Sequence, residues 1–109
     1  MNAILVITTM PDRASAMSLA QTLVDERIAA CVNVLADCTS FYRWQGKSET
    51  AVEVPVLIKT VDQHYSRLEQ RIMSLHPYEL PELIAVPITN GLPPYLKWIG
   101  TETLGSNAE

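Results

Sequence analysis

Residues 31–60, CVNVLADCTSFYRWQGKSETAVEVPVLIKT, decide the fold of this chain. Apolar and polar side chains alternate along both halves of the stretch, and Gly46 separates the halves. Period-2 alternation predicts a β-hairpin with one buried face, and glycine permits the reversal of the backbone. The predicted apolar positions are Val32, Val34, Ala36, Cys38, Ser40, Tyr42 and Trp44 in the first arm and Val52, Val54, Val56 and Ile58 in the second.

The hairpin is too long for the domain that carries it. Each arm has about 12 residues and would span roughly 40 Å at ~3.3 Å per residue, about twice the usual strand. The whole chain has 109 residues, enough for one domain with a modest core. We therefore predict a single domain over residues 1–109, with a frayed tail at residues 101–109, whose excess hairpin length pairs with another subunit.

The sequence before the hairpin predicts one strand and one helix. Residues 3–9, AILVITT, form a continuous apolar run, which is typical of a central strand buried on both faces. Asp12 is a suitable N-cap for a helix that reaches about Arg27, because apolar residues recur there at helical spacing.

The sequence after the hairpin predicts a helix, a strand and a short closing helix. An apolar stripe with helical spacing covers residues 61–75, and Pro77 ends it. A strand follows at residues 82–89, and Pro87 makes it an edge strand. The closing helix is expected to end at Gly100.

This order of elements predicts an α+β fold, a ferredoxin-like βαββαβ sandwich with a long hairpin between its second and third strands and a short C-terminal helix. Helices would cover one face of the antiparallel sheet. The other face would carry Leu35, Phe41 and Leu57, which again favours oligomerisation. Pro55 is the local conflict, because proline cannot donate to a strand ladder, and we expect it where the arm has a free side.

Charge and composition argue against several classes of partner. The net charge is −4 and the eight Lys and Arg residues are scattered, which argues against nucleic acid. No apolar run approaches the ~20 residues that cross a bilayer, and the start of the chain lacks a basic signal region, so we expect a cytoplasmic protein without a membrane partner. Cys31 and Cys38 are too far apart on one strand for a disulfide and are predicted to be thiols.

Several short motifs run in order from Ala3 to Ile99. They are Thr8-Thr9 with Pro11-Asp12, Ala29-Ala30-Cys31-Val32-Asn33, Tyr42-Arg43-Trp44 with Gly46-Lys47, Lys59-Thr60, His76-Pro77-Tyr78 with Pro81-Glu82, and Tyr95-Leu96 with Trp98-Ile99. Together they resemble the CutA divalent-cation-tolerance proteins. The resemblance implies a cytoplasmic homotrimer whose long hairpins pair between subunits, and a role in tolerance of, or response to, divalent metal ions such as copper.

The implied assembly is also similar to that of the PII signalling proteins. The alternative function is therefore a PII-like trimeric regulator that binds a small metabolite or signals to a partner protein. The chain departs from the family at Thr8, where some members have Cys, and at Leu75, where some have a second His. Both positions have been connected with copper binding, and of that set only His76 is present.

His76 is the leading candidate metal ligand. Imidazole suits copper and zinc, and Glu79 and Glu82 follow closely with carboxylates. The alternative is that His76 lies at a helix C-terminus and complements the helix dipole. Cys31 is the next candidate ligand, with a structural role as its alternative. Copper or another divalent ion would then be a weakly bound ligand rather than an obligatory cofactor.

Two further groups of residues are candidates for binding. Trp44, Lys59, Tyr78 and Glu82 are predicted to line a polar cleft between subunits, with a plain interfacial ion pair as the alternative. Tyr42, Trp44 and Trp98 are predicted interface anchors, because aromatic residues are enriched at protein interfaces. His64 is expected to be exposed in the first turn of its helix.

The sequence carries no recognisable catalytic motif. The loop after the first strand, residues 9–13, lacks the glycines with which ferredoxin-like acylphosphatases bind phosphate, and Arg13 and Asn33 stand isolated. No Walker loop, H-E-x-x-H pattern or Ser-His-Asp order occurs. We therefore predict a binding module and not an enzyme.

Overall fold

A computed structural model describes residues 2–104 of the chain. Its elements are β1 (Ala3–Met10), α1 (Arg13–Asp25), β2 (Cys31–Val34), β3 (Cys38–Trp44), β4 (Lys47–Val61), a 3-10 turn (Asp62–His64), α2 (Tyr65–Leu75), β5 (Leu83–Pro87) and α3 (Pro93–Leu104). The strands form one antiparallel sheet in the order β2-β4-β1-β5, and β3 continues the first arm of the hairpin along β4. The predicted α+β, ferredoxin-like fold is confirmed.

The core lies between one face of the sheet and the helices α1 and α2. Even-numbered residues of β1 face even-numbered residues of β4, as in the pair Val6 and Ile58, and both side chains are fully buried. The helices contribute Ala16, Leu19, Leu23, Leu68 and Ile72 to the same cluster. β1 is central as predicted, but burial on both faces is wrong, because Leu5 and Ile7 on the opposite face are only half-buried.

The start of α1 follows its sequence signal. Asp12 is extended and accepts a hydrogen bond from the Ser15 backbone N–H at 2.8 Å, so the predicted N-cap is confirmed. The helix ends at Asp25, slightly before the predicted end. Arg27 then takes a left-handed conformation with φ of 60°.

The hairpin is as long as predicted, but its first arm is interrupted. β4 has 15 residues, and the reversal at Gln45 and Gly46 uses φ values of 51° and 82°, which suit a two-residue hairpin turn. Residues 35–37 separate β2 from β3, and the register shifts by one residue there: Val34 pairs with Val56, whereas Cys38 pairs with Glu53. Such an insertion is a β-bulge.

The bulge exchanges the faces of the first arm relative to β4. Val32 pairs with Ile58 on the core side, whereas Tyr42 pairs with Glu49 on the opposite side. The prediction of one apolar face from Val32 to Trp44 is therefore wrong. The prediction for Phe41, which placed it on the face away from the helices, is wrong in the reverse sense. Phe41 lies on the core side of the sheet but beyond the helices, with 79% of its surface exposed.

The expectation of a free side at Pro55 is also wrong. Pro55 pairs with Thr9 of β1, and on the other side its carbonyl accepts the Leu35 N–H at 3.0 Å. It therefore lies inside the sheet, opposite the bulge.

At the far end of the chain, β5 pairs only with β1 among the described strands and is the predicted edge.

α3 runs past Gly100 to Leu104, so the predicted end and the frayed tail are wrong for residues 101–104, and residues 105–109 lie outside the described residues. In this last turn the Thr103 carbonyl oxygen lies 2.9 Å from the ring Nε2 of His64. His64 is 4% exposed and not on the surface as expected.

Candidate functional site

The loop of residues 76–82 crosses the ends of β1 and α2 and carries most of the candidate ligands. His76 is the C-cap of α2 and is extended, with φ of −84° and ψ of 133°, because the following Pro77 disfavours a helical conformation there. Its ring Nε2 lies 2.7 Å from the Thr9 carbonyl oxygen, and its Nδ1 accepts the Tyr78 backbone N–H at 3.2 Å. Because Nδ1 accepts, Nε2 carries the hydrogen and donates to Thr9. Both ring nitrogens are thus engaged in hydrogen bonds.

Glu53 lies at the centre of a polar network beneath this loop. Glu53 is 8% exposed, and its carboxylate accepts hydrogen bonds from the Thr9 hydroxyl at 3.2 Å and from the Tyr78 phenol. Burial of Tyr78 raises its pKa to about 12, helped by the hydrogen bond to Glu53 and by the negative charges of Glu53 and Asp12 nearby. Together with Tyr42, these groups form a patch of phenols and carboxylates at the start of α1.

Sequence reasoning missed Glu53 as a site residue. The available signal was a carboxylate between Val52 and Val54 in an otherwise apolar strand, since charged residues are rarely buried unless paired. Its partners Thr9 and Tyr78 come from distant parts of the chain, and only the fold brings them together.

A third contact holds the end of the loop. Thr8 is fully buried, and its hydroxyl donates to the Glu82 backbone carbonyl at 2.6 Å. The loop is thus tied to the sheet at His76, Tyr78 and Glu82, while the Glu79 and Glu82 side chains are exposed. The Thr8 hydroxyl is thus already engaged by the backbone of the loop.

The candidate metal ligands are not gathered into one centre. Cys31 lies on β2 opposite Lys59, is a free half-buried thiol, and contacts Asn33 Oδ1 at 3.9 Å, away from the loop of His76. Within residues 2–104, no group of three or more His, Cys, Asp or Glu side chains is arranged to hold a metal ion. Because the His76 nitrogens are also engaged, the donor set of one chain does not fit a copper centre.

The predicted cleft residues are likewise spread out within one chain. Trp44 pairs with Lys47 at the hairpin end, and Lys59 lies near the other end of β4, roughly 40 Å from Lys47 at ~3.3 Å per residue. The Lys59 ammonium lies 5.9 Å from the centre of the Tyr95 ring. Tyr78 lies between these two ends, where its side chain is hydrogen-bonded to Glu53. A cleft that joins all of them needs more than one chain.

The predicted interface aromatics present substantial surface. Tyr42 is 45% exposed and Trp98 is 40% exposed, whereas Trp44 is half-buried. Trp98 packs on Tyr95 with ring centres 5.5 Å apart. The three predicted anchors thus lie on two separate elements, the hairpin tip and α3.

Comparison with known proteins assigns the chain to a family. The sequence profile of the CutA1 divalent ion tolerance protein matches residues 4–102. The chain belongs to the CutA1 family. The divalent-cation tolerance protein CutA of Thermus thermophilus is 42% identical over 98 residues, which cover 90% of this chain and 95% of that protein.

Solved CutA structures agree in fold over nearly the whole chain. CutA from Xylella fastidiosa superposes with a TM-score of 0.90 at 48% identity, covering 94% of this chain and 99% of that one. CutA from Archaeoglobus fulgidus, described as a periplasmic divalent cation tolerance protein, gives 0.89 at 31% identity, covering 93% and 98%. Within the described part of this CutA1 chain, no helix is both long and apolar enough to span a membrane.

Proposed function

We propose that this CutA1-family protein acts in tolerance of, or response to, divalent metal ions as a non-enzymatic, homotrimeric binding module. The observation that carries this proposal is the outer half of the hairpin. There β3 pairs only with β4 among the described strands, and Phe41 and Val52 are 79% and 61% exposed. Apolar side chains this exposed on an extended ribbon indicate a protein partner.

The free edge of the same ribbon supports pairing with another copy. β1 ends at Met10, which pairs with Val54, so within residues 2–104 the first part of β4 has no strand on that side. An unpaired edge offers backbone donors and acceptors to a further strand. A heterologous contact of this kind closes into a ring when repeated around a symmetry axis, and the family resemblance favours three subunits.

Sedimentation equilibrium at low micromolar concentration tests the assembly. The expected mass is about three times that of the 12.1 kDa chain. A folded monomer at these concentrations would contradict the proposal. The experiment does not depend on the identity of any ligand.

Weak copper binding centred on His76 is the finer form of this function. The support is chemical, since one loop carries an imidazole and the exposed carboxylates of Glu79 and Glu82. Copper would have to replace the bond from His76 to the Thr9 carbonyl or the one from Tyr78, and additional ligands would come from a neighbouring subunit. This competition is the physical reason to expect weak binding.

A PII-like regulator that binds a small metabolite or signals to a partner protein is the second candidate. The patch around Glu53 favours it, because Tyr42, Tyr78 and Asp12 offer hydrogen-bonding groups without a metal cluster among the described residues. A thermal-shift panel of divalent metals against nucleotides and metabolites separates the two. Stabilisation by a metabolite alone favours the regulator, and stabilisation by metal alone favours direct metal binding.

We place this function in the cytoplasm. Support comes from Cys31 and Cys38, which are both free thiols, as is usual in a reducing compartment. Cell fractionation tests the placement, and recovery of the protein from the periplasm would contradict it.

A further inference from the structure

Leu35 and Pro55 directly follow the last pair of the β2–β4 ladder, which is Val34 and Val56. The register advances by one residue on each strand from Cys31 and Lys59 to Val34 and Val56, so Leu35 and Pro55 come next. The Leu35 N–H donates to the Pro55 carbonyl at 3.0 Å. In an antiparallel ladder such a pair exchanges two hydrogen bonds, and the second would run from residue 55 to the Leu35 carbonyl.

Proline cannot make that second bond, because it has no backbone N–H. The Leu35 carbonyl instead accepts a hydrogen bond from Arg13 Nη2 at 2.6 Å. We infer that the Arg13 guanidinium substitutes for the missing donor of Pro55, and that this three-residue arrangement couples the start of α1 to the bulge in the hairpin.

The bulge begins at Leu35, the residue whose carbonyl accepts the hydrogen bond from Arg13. After Leu35 the first arm leaves the ladder, and at Cys38 it rejoins β4 with its faces exchanged. The exchange places Tyr42 on the same side of the sheet as Glu53. Arg13 and Pro55 are therefore positioning residues, since both hold Leu35 at the point where the first arm leaves the ladder.

The position of Arg13 makes the test diagnostic. Arg13 is the first residue of α1, where a positive charge opposes the helix dipole. If the guanidinium only occupied the surface, its removal would leave stability unchanged or slightly raised. Loss of stability on its removal therefore indicates the bond to Leu35.

A double-mutant cycle measures the coupling by thermal unfolding at one protein concentration. Arg13→Ala is expected to lower the midpoint by about 4 °C in the native chain, as loss of one net hydrogen bond does in a small domain. In the Pro55→Val background, where residue 55 can donate, the same change is expected to have no effect. Arg13→Lys keeps a donor and should retain most of the midpoint.

Arg67→Ala is the matched control. Arg67 is also exposed and donates to a backbone carbonyl, that of Glu26, at the opposite end of α1. Its effect should be the same with Pro55 and with Val at that position, because distant sites add independently. Equal effects of Arg13→Ala in both backgrounds would overturn the inference.

Amide hydrogen exchange gives a second, local readout. In the double variant Arg13→Ala with Pro55→Val, the new N–H at position 55 should be protected by the Leu35 carbonyl. Exchange at the rate of an open loop would contradict the pairing. The exchange readout is local to position 55 and the cycle compares variants at one concentration, so a failure here is distinguishable from a failure of the proposed trimer.

Discussion

Tyr78 donates its phenolic hydrogen to the carboxylate of Glu53, a residue that is 8% exposed. This bond joins the loop after α2 to the middle of the longest strand, and the Thr9 hydroxyl supplies a second donor to the same carboxylate. A buried carboxylate is tolerated because both contacts are made. The loop of His76 is thus held by a network whose protonation affects stability.

The first prediction concerns alkaline pH. The folded-state pKa of Tyr78 is raised from 10.0 to about 12, so its contribution to folding is complete below pH 10 and is lost as pH rises towards 12. Tyr78→Phe should reduce the loss of unfolding free energy over this window, measured by urea unfolding. Tyr65→Phe is the control. Burial also raises the pKa of Tyr65, but Glu53 is not among the groups that shift it. Identical slopes for wild type and Tyr78→Phe would contradict the network.

The second prediction concerns Glu53 itself. Glu53→Ala leaves the hydroxyls of Thr9 and Tyr78 without their acceptor, and should lower the unfolding free energy by about 1–3 kcal/mol. Glu53→Gln keeps one acceptor oxygen and should cost less. Glu49→Ala, at an exposed position of the same strand, should stay within about 0.5 kcal/mol of wild type. If Glu53→Ala behaves like this control, the carboxylate is not a structural centre.

The third prediction concerns the attachment of α3. His64→Ala removes a buried ring and its bond to the Thr103 carbonyl, and should cost about 2 kcal/mol. The amides of the last turn of α3 should then exchange faster with solvent. Gln63→Ala changes the exposed neighbour and should leave both measurements unchanged. Unaltered exchange in His64→Ala would mean that α3 is held by its apolar contacts alone.

The fourth prediction concerns the hairpin as the assembly element. Truncation of an aromatic anchor in an interface typically costs on the order of 2 kcal/mol or more. Trp44→Ala should therefore lower the thermal midpoint of the trimer or shift sedimentation towards smaller species. Ser48→Ala, on the facing strand, is the control. A Trp44→Ala trimer of unchanged stability would make Trp44 a surface or pocket residue.

The fifth prediction concerns copper. Titration of the wild-type protein with Cu(II) should reveal weak binding, micromolar or poorer, and His76→Ala should abolish it. Copper should outcompete zinc at such a nitrogen and oxygen site. A loss of Cu(II) affinity in Glu79→Gln or in Glu82→Gln identifies the carboxylate that assists His76. Equal affinity in wild type and His76→Ala would move the site to Cys31, and absence of binding in both would make metal tolerance an indirect effect.

The sequence by itself determined the elements and much of their order. Asp12 starts α1, Pro77 follows the end of α2, and Gly46 permits the hairpin reversal, each through the conformations and hydrogen bonds of its own backbone neighbourhood. Alternation and helical spacing are also local properties, so they predicted the α+β fold without knowledge of the packing. The short motifs from Thr8 to Ile99, taken together, indicated the family that the profile match establishes.

Only the tertiary structure decided which polar residues work together. The bulge at residues 35–37, the Thr9–Glu53–Tyr78 network and the bond from His64 to Thr103 each join positions far apart in the chain. A one-residue shift of register reverses the side-chain directions of a strand, so alternation alone could not assign Tyr42 to its face. The burial of Glu53 and His64 depends on partners that arrive from other elements, and no local pattern encodes that arrival.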